Sequence, residues 1–237
     1  MEACGTPSVE GFAGVLVELL RELGVREAVL VGHSMGCRVV LGVWDLLVGG
    51  GHAVEAGRGV AGVVGSERDV GDGIVVKGVV LLDGSHVKLR SKIRFDDELS
   101  KGDDGQIDLF EQMFSPATPD GFRKATRDHV GSRDQAYVKK LRQAYMTWDE
   151  EKMDEVVDRL GKTRIPVLQL QSTEVDALNR RRRLRHGEDA AYSVWLKRKV
   201  VEVKQETVEN AGHFPHVDQK EVVAQHIMEF VKETLSS

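Results

Sequence analysis

The segment Val29-Leu-Val-Gly-His-Ser-Met-Gly36 constrains this chain more than any other. Ala28 to Val31 is a short apolar, β-branched run whose length suits a strand buried on both faces, and Cys37 to Leu47 reads as a helix. Only a few residues are left in which the chain must turn from one direction to the other. A Gly-x-Ser-x-Gly turn in that setting forces its serine into a strained backbone conformation that projects the hydroxyl, so Ser34 is the candidate nucleophile. Gly32 and Gly36 are expected to remove side chains that would otherwise collide. The following helix directs its N-terminal amides at the same spot, which gives the backbone of Met35 an expected role in stabilising an oxyanion.

A serine hydroxyl is a poor nucleophile at neutral pH and needs a histidine base held in the right tautomer by a third group. His213 is the best candidate base. It lies in Asn210-Ala-Gly-His-Phe-Pro215, between a strand candidate at Val200 to Val208 and a final amphipathic helix at Glu221 to Leu235. His216 is its rival, and His33 is expected to pack or to make a structural hydrogen bond. For the acid, chain order and strand order favour Asp176. Glu174 and Asp83 remain alternatives, since both also follow strand candidates.

Those strand candidates are Val75 to Leu82 and Pro166 to Gln171. Helical patterning lies between strands, including Val9 to Leu23, where Phe12, Val15, Leu16, Leu19, Leu20 and Leu23 form the expected apolar face. This alternation predicts a mainly parallel sheet covered by helices, with ligands beyond the carboxyl ends of the strands. The Gly-rich stretch Gly49 to Gly73 reads as a surface insertion. Gly84 to Arg164 is charged and helical, with Leu109, Phe110, Met113, Phe114, Tyr137, Leu141, Tyr145 and Trp148 recurring near helical spacing. The expected organisation is a discontinuous core, 1–83 and 165–237, interrupted by a helical cap, 84–164.

Composition narrows the partners. With 41% hydrophobic and 30% charged residues the chain is neither disordered nor fibrous, and a formal charge of −5 offers no field for nucleic acid. The run Arg180-Arg-Arg-Arg-Leu-Arg-His186 reads as a solvated face. Cys4 and Cys37 are too few for a disulfide framework, no apolar stretch is long enough to span a bilayer, and no leader is evident, so the expected location is cytoplasmic. No metal or cofactor is called for, because no His or Cys pair has ligand spacing beyond His213 and His216.

Taken with their context, Gly32 to Gly36 and Gly212-His-Phe-Pro215 resemble the nucleophile elbow and the catalytic-histidine loop of the α/β-hydrolase superfamily. The resemblance implies a three-layer α/β sheet, a triad of Ser34, Asp176 and His213, and a cap between the sheet halves. It also implies a cofactor-free reaction on an ester or thioester of a small, apolar acyl substrate. The sequence departs from the pattern in two places. The residues after the third strand, Ser172-Thr-Glu-Val-Asp176, are shifted by about a residue, and few residues precede the elbow strand. The sheet is therefore expected to be N-terminally truncated, with the His-Gly loop of the oxyanion hole absent and an edge across which a homodimer could form. The alternative reading is a non-catalytic member of the fold that binds a ligand or partner.

Overall fold

The computed structural model describes residues 7–48, 73–89, 111–175 and 180–236. Cys4, Leu109, Phe110, Asp176 and most of the Gly-rich stretch lie outside them. Helix α1 (Val9–Glu22) leads into strand β1 (Glu27–His33), helix α2 (Gly36–Val48) and strand β2 (Val75–Leu82). Helices α3 (Asp120–Gly131), α4 (Gln135–Trp148) and α5 (Asp154–Gly161) follow, with a π-helical turn at Asp149–Met153 joining the last two. Strand β3 (Val167–Gln171), the small strands β4 (Thr173–Val175) and β5 (Arg181–Arg183), helix α6 (Ala191–Lys199), strand β6 (Val203–Thr207) and helices α7 (Pro215–Asp218) and α8 (Lys220–Leu235) complete the chain.

Four strands form one parallel sheet in the order β1-β2-β3-β6, while β4 and β5 pair as a separate antiparallel ribbon. The pleat of β2 assigns alternate side chains to two cores. Val79 and Leu81 join α1, α2, α5 and α6 on one face. Val80 and Leu82 join Leu168, Leu170, Val223 and Phe230 on the other, under α8. The sheet is thus sandwiched between helical layers, the three-layer arrangement expected from the strand and helix alternation.

Two expectations about burial need correction. Strand β1 is not covered on both faces, since Val31 is 45% exposed, and it is paired on one side only among the described residues. Helix α1 turns only part of the expected stripe inward, Leu16 and Leu20 being partly buried against the core. It buries Val9, Ala13 and Val17, whereas Val15, Leu19 and Leu23 are exposed. The reason is the closeness of α1 to α2: a Cβ at Gly42 would sit 3.1 Å from the Cβ of Ala13, and only small side chains fit such an approach.

The segment read as a cap is mostly helical from Asp120 to Gly161, and its last turns pack in the main core. Trp148, Met153, Val156, Val157 and Leu160 are buried in the α1–α2 face, with Tyr145 packed against them. Tyr145 and Trp148 are therefore packing residues. Truncation of a fully buried side chain loses both transfer energy and contacts around the cavity left behind. Leu41→Ala, in α2, is expected to lower the unfolding free energy by about 2–5 kcal/mol in urea denaturation, and Leu19→Ala to change it by no more than about 0.5 kcal/mol.

Candidate active site

The carboxyl ends of β1, β2, β3 and β6 bring the chemistry-bearing residues together. Ser34 follows β1 with φ 54°, a left-handed conformation that a non-glycine residue adopts only where its surroundings hold it there. Its amide donates to the Leu82 carbonyl at the end of β2 (2.9 Å), and its carbonyl accepts from the Cys37 amide (3.1 Å) in the first turn of α2. The two elbow glycines are not equivalent. A Cβ at Gly32 would lie 2.4 Å from the Gly36 carbonyl oxygen, so only glycine fits there, but a Cβ at Gly36 would meet nothing within 4 Å. Cys37 is buried behind the elbow, and burial pushes its thiol up to about 12, which leaves it without thiolate reactivity.

His213 faces Ser34. Its Nε2 accepts from the Ser34 hydroxyl (2.8 Å), and its Nδ1–H donates to Asp83 Oδ2 (2.6 Å). The proton is assigned to Nδ1 because an ionised carboxylate can only accept. The His213 loop is fixed from several directions: the His213 amide donates to Met113 O (2.7 Å), and the Gly212 amide to Asp218 Oδ2 (2.7 Å). His33 donates through Nε2 to the His213 carbonyl (2.6 Å), the structural bond expected of it. His216 is exposed and stacks edgewise on His33 with ring centroids 4.6 Å apart, so His213, not its rival, contacts the serine.

The carboxylate that meets the Nδ1 of His213 is that of Asp83, the residue after β2 and one of the alternatives read from the sequence, while the preferred Asp176 lies outside the described residues. Glu174 is engaged elsewhere, accepting from Arg182 Nη2 (2.7 Å) and from the Ala191 amide (2.9 Å). Asp83 is 1% exposed and is held at φ 42°. A charge so deeply buried persists only if it is paired and hydrogen-bonded. Oδ1 accepts from the amides of Ser172 (2.9 Å) and Thr173 (2.7 Å), and Oδ2 accepts from the Thr173 hydroxyl, His213 and Arg181. Burial alone would raise the carboxyl pKa. The His213 hydrogen bond, the charge of Arg181 and the Thr173 hydroxyl outweigh it and hold Asp83 below the usual carboxylate range. His213 moves down from the ordinary imidazole value, first through burial and then through the charge of Arg181, against the pull of Asp83.

Residues outside these motifs support the site. Arg38 of α2 is 3% exposed and forms a two-pronged ion pair with Asp149, which is fully buried at the start of the π-helical turn (Nε to Oδ1 and Nη2 to Oδ2, both 2.6 Å). Arg38 also donates to the Ser85 carbonyl (2.9 Å), and Asp149 accepts from the Val87 amide (2.9 Å), so one ion pair ties the elbow helix to the loop after Asp83. Gln171 reinforces that loop by donating to the Gly84 carbonyl (3.0 Å). Neither Arg38 nor Asp149 carries a recognisable pattern in the sequence, because their meeting depends on folding across 111 positions. The Arg180 to His186 run is not simply a solvated face: Arg182 is exposed and paired with Glu174 and Glu188, but the Arg181 side chain is turned in to Asp83.

Nothing in the described part of the site is arranged to hold a metal: no group of three or more His, Cys, Asp or Glu has that geometry among the described residues. Nor is any helix of the described residues long and apolar enough to cross a membrane.

Comparison with known proteins agrees with the architecture. Residues 3–226 match the model of the alpha/beta hydrolase family. No curated protein matches the chain in sequence. Among solved structures, it is similar to a bromoperoxidase from Bacillus anthracis (TM-score 0.66, 15% identity, covering 98% of this chain and 77% of that one). It is likewise similar to a thermophilic esterase from Thermogutta terrifontis (TM-score 0.62, 17% identity, 99% and 75%) and to an esterase from Exiguobacterium antarcticum (TM-score 0.62, 13% identity, 97% and 76%). At these identities the likeness is one of fold.

The site yields two tests of its scaffold. Gly32→Ala is expected to abolish soluble, folded protein or to displace Ser34, while Gly36→Ala leaves the circular dichroism and melting curve near those of the parent. Arg38→Ala strands the Asp149 carboxylate in the core and is expected to cost about 3–5 kcal/mol in denaturant unfolding.

Proposed function

Because the chain belongs to the alpha/beta hydrolase family, we propose that it is a serine hydrolase that cleaves carboxylic esters or thioesters of small apolar substrates through an acyl-enzyme on Ser34. The observation that carries this reading is the unbroken series Ser34 Oγ, His213 Nε2, His213 Nδ1 and Asp83 Oδ2, with contacts of 2.8 and 2.6 Å. In the proposed mechanism the Ser34 oxygen attacks the carbonyl carbon as His213 Nε2 takes its proton. The oxygen of the tetrahedral intermediate turns toward the Met35 amide at the start of α2, where the helix dipole favours negative charge. His213 then returns the proton to the departing alkoxide or thiolate. In the second half it takes a proton from water, the hydroxide attacks the acyl carbon, and Ser34 is released protonated. Asp83 stays ionised throughout, holding the Nδ1–H tautomer and stabilising the imidazolium that forms transiently. These steps need only side chains, backbone amides and water.

An apolar acyl group suits the surroundings of the histidine, where Phe214 packs against Phe114 and Phe122 with ring centroids 5.8 and 5.1 Å apart. The choice between oxygen and sulfur leaving groups is open to experiment, since the triad handles both.

The purified chain is expected to label at Ser34 with a fluorophosphonate, read by peptide mass spectrometry, and to hydrolyse p-nitrophenyl acetate and butyrate. Ser34→Ala should remove both signals. Asp83→Asn should lower kcat by about 10⁴-fold, because the amide presents the wrong hydrogen-bonding partner to Nδ1, whereas Asp176→Asn should leave kcat within a factor of a few. A folded chain that neither labels nor turns over ester would instead leave the protein as a ligand-binding member of its fold.

A further inference from the structure

The Asp83 carboxylate serves a second donor besides the histidine, and this one is a cation. Arg181 Nη1 lies 3.1 Å from the same oxygen, Oδ2, that accepts from His213, and it also donates to the Thr173 hydroxyl, which donates in turn to Oδ2. The Arg181 side chain is only 11% exposed and Asp83 is not exposed at all. The approach is built by the β4–β5 ribbon, in which Thr173 and Arg183 are register partners and Arg181 pairs with Val175, with the Arg181 amide anchored on Gln112 Oε1 (2.9 Å). A guanidinium is always charged in a protein, and its rigid fork suits a shared contact of this kind.

We propose that Arg181 is a positioning residue of the triad: its guanidinium, shared with the Thr173 hydroxyl on Oδ2, holds the Asp83 carboxylate toward His213 and sets a fixed positive charge against the imidazolium. This rests on the hydrolase reading for its biological meaning but not for its measurement. The physical argument is a competition on one oxygen. A carboxylate alone beside an imidazole would favour the imidazolium and raise its pKa, and a fixed positive charge on the same carboxylate offsets part of that attraction. Burial of His213 acts in the same direction as Arg181. The other charged or titratable groups around the pair are His33 from β1, Cys37 and Arg38 from α2, Tyr145 from α4, and His216 and Asp218 from α7. Among them, protonation of His33 or His216 would add positive charge and oppose the imidazolium further, but both are themselves lowered by burial. Arg38 is also permanently charged but is paired with Asp149, so among the described residues Arg181 is the fixed cation in direct contact with Asp83.

The test is the titration of His213 itself, followed by NMR in the full chain carrying ¹³C-labelled histidine, with the signal assigned by its loss in His213→Gln. The wild-type midpoint is expected well below 6.5. In Arg181→Met and Arg181→Gln it should rise by about one to two pH units, and in Arg181→Lys, which keeps the charge, it should stay within about half a unit of wild type. The acid limb of kcat/KM on p-nitrophenyl acetate should move by the same amount. A wild-type midpoint at or above 6.5 overturns the proposal, and it does so even if the neutral variants fail to fold. An unmoved midpoint in a folded neutral variant overturns it as well, and would make Arg181 a structural prop of the ribbon alone. If His213 titrates as expected while Ser34 neither labels nor turns over, the hydrolase reading falls and the role of Arg181 stands.

Discussion

A single buried carboxylate organises this end of the molecule. Asp83 sits almost wholly out of water at the end of the second strand, and an isolated carboxylate there would be too costly to keep ionised. The chain meets that cost with donors drawn from three places: the turn after β3, the ribbon strand β5 and the loop before α7. The direction in which the chain leaves β3 to become β4, the inward turn of Arg181 and the placement of His213 are all satisfied by the same two oxygens. The residue that holds the His213 ring is thereby also the anchor of the surrounding loops.

The Arg38–Asp149 pair has a comparable role in the neighbouring layer. It lies among apolar side chains, with Trp44, Trp148 and Met153 in the same core, where well-packed hydrophobic groups of similar volume would often be as stable. What a hydrophobic replacement would lack is direction. The forked contact sets the π-helical turn at one rotation relative to α2, and the remaining donors reach the loop that follows Asp83.

How much of this is legible in the chain depends on whether the signal is local. Ser34 and His213 announce themselves because each sits in a short pattern whose glycines and neighbouring elements can be read without knowing the fold. The strands of the four-stranded sheet are legible for the same reason, β2 being apolar from Val75 to Leu82 but for Lys77 and Gly78. Asp83 can be kept as an alternative but not chosen, since an Asp-Gly after a strand is an ordinary turn, and what distinguishes it are partners 89 to 130 positions away. The inward face of α1 is misjudged from hydropathy because hydropathy does not register size, whereas the packing against Gly42 selects for small side chains. Arg181 is hidden in a run of four arginines, of which the fold turns this one inward.

The way Ser34 and Asp83 are tied into the sheet has a consequence for how the protein would fail. The Ser34 amide bonds to the end of β2, and the Asp83 amide bonds to Leu170 O in β3 (2.8 Å), so these two residues are the terminal rungs of the same parallel ladder. A site carried on a loose loop can melt early while the body of the protein survives. Here the register of the site and that of the sheet are one, and loss of the Ser34–His213–Asp83 geometry on heating should coincide with the cooperative collapse of the sheet rather than precede it.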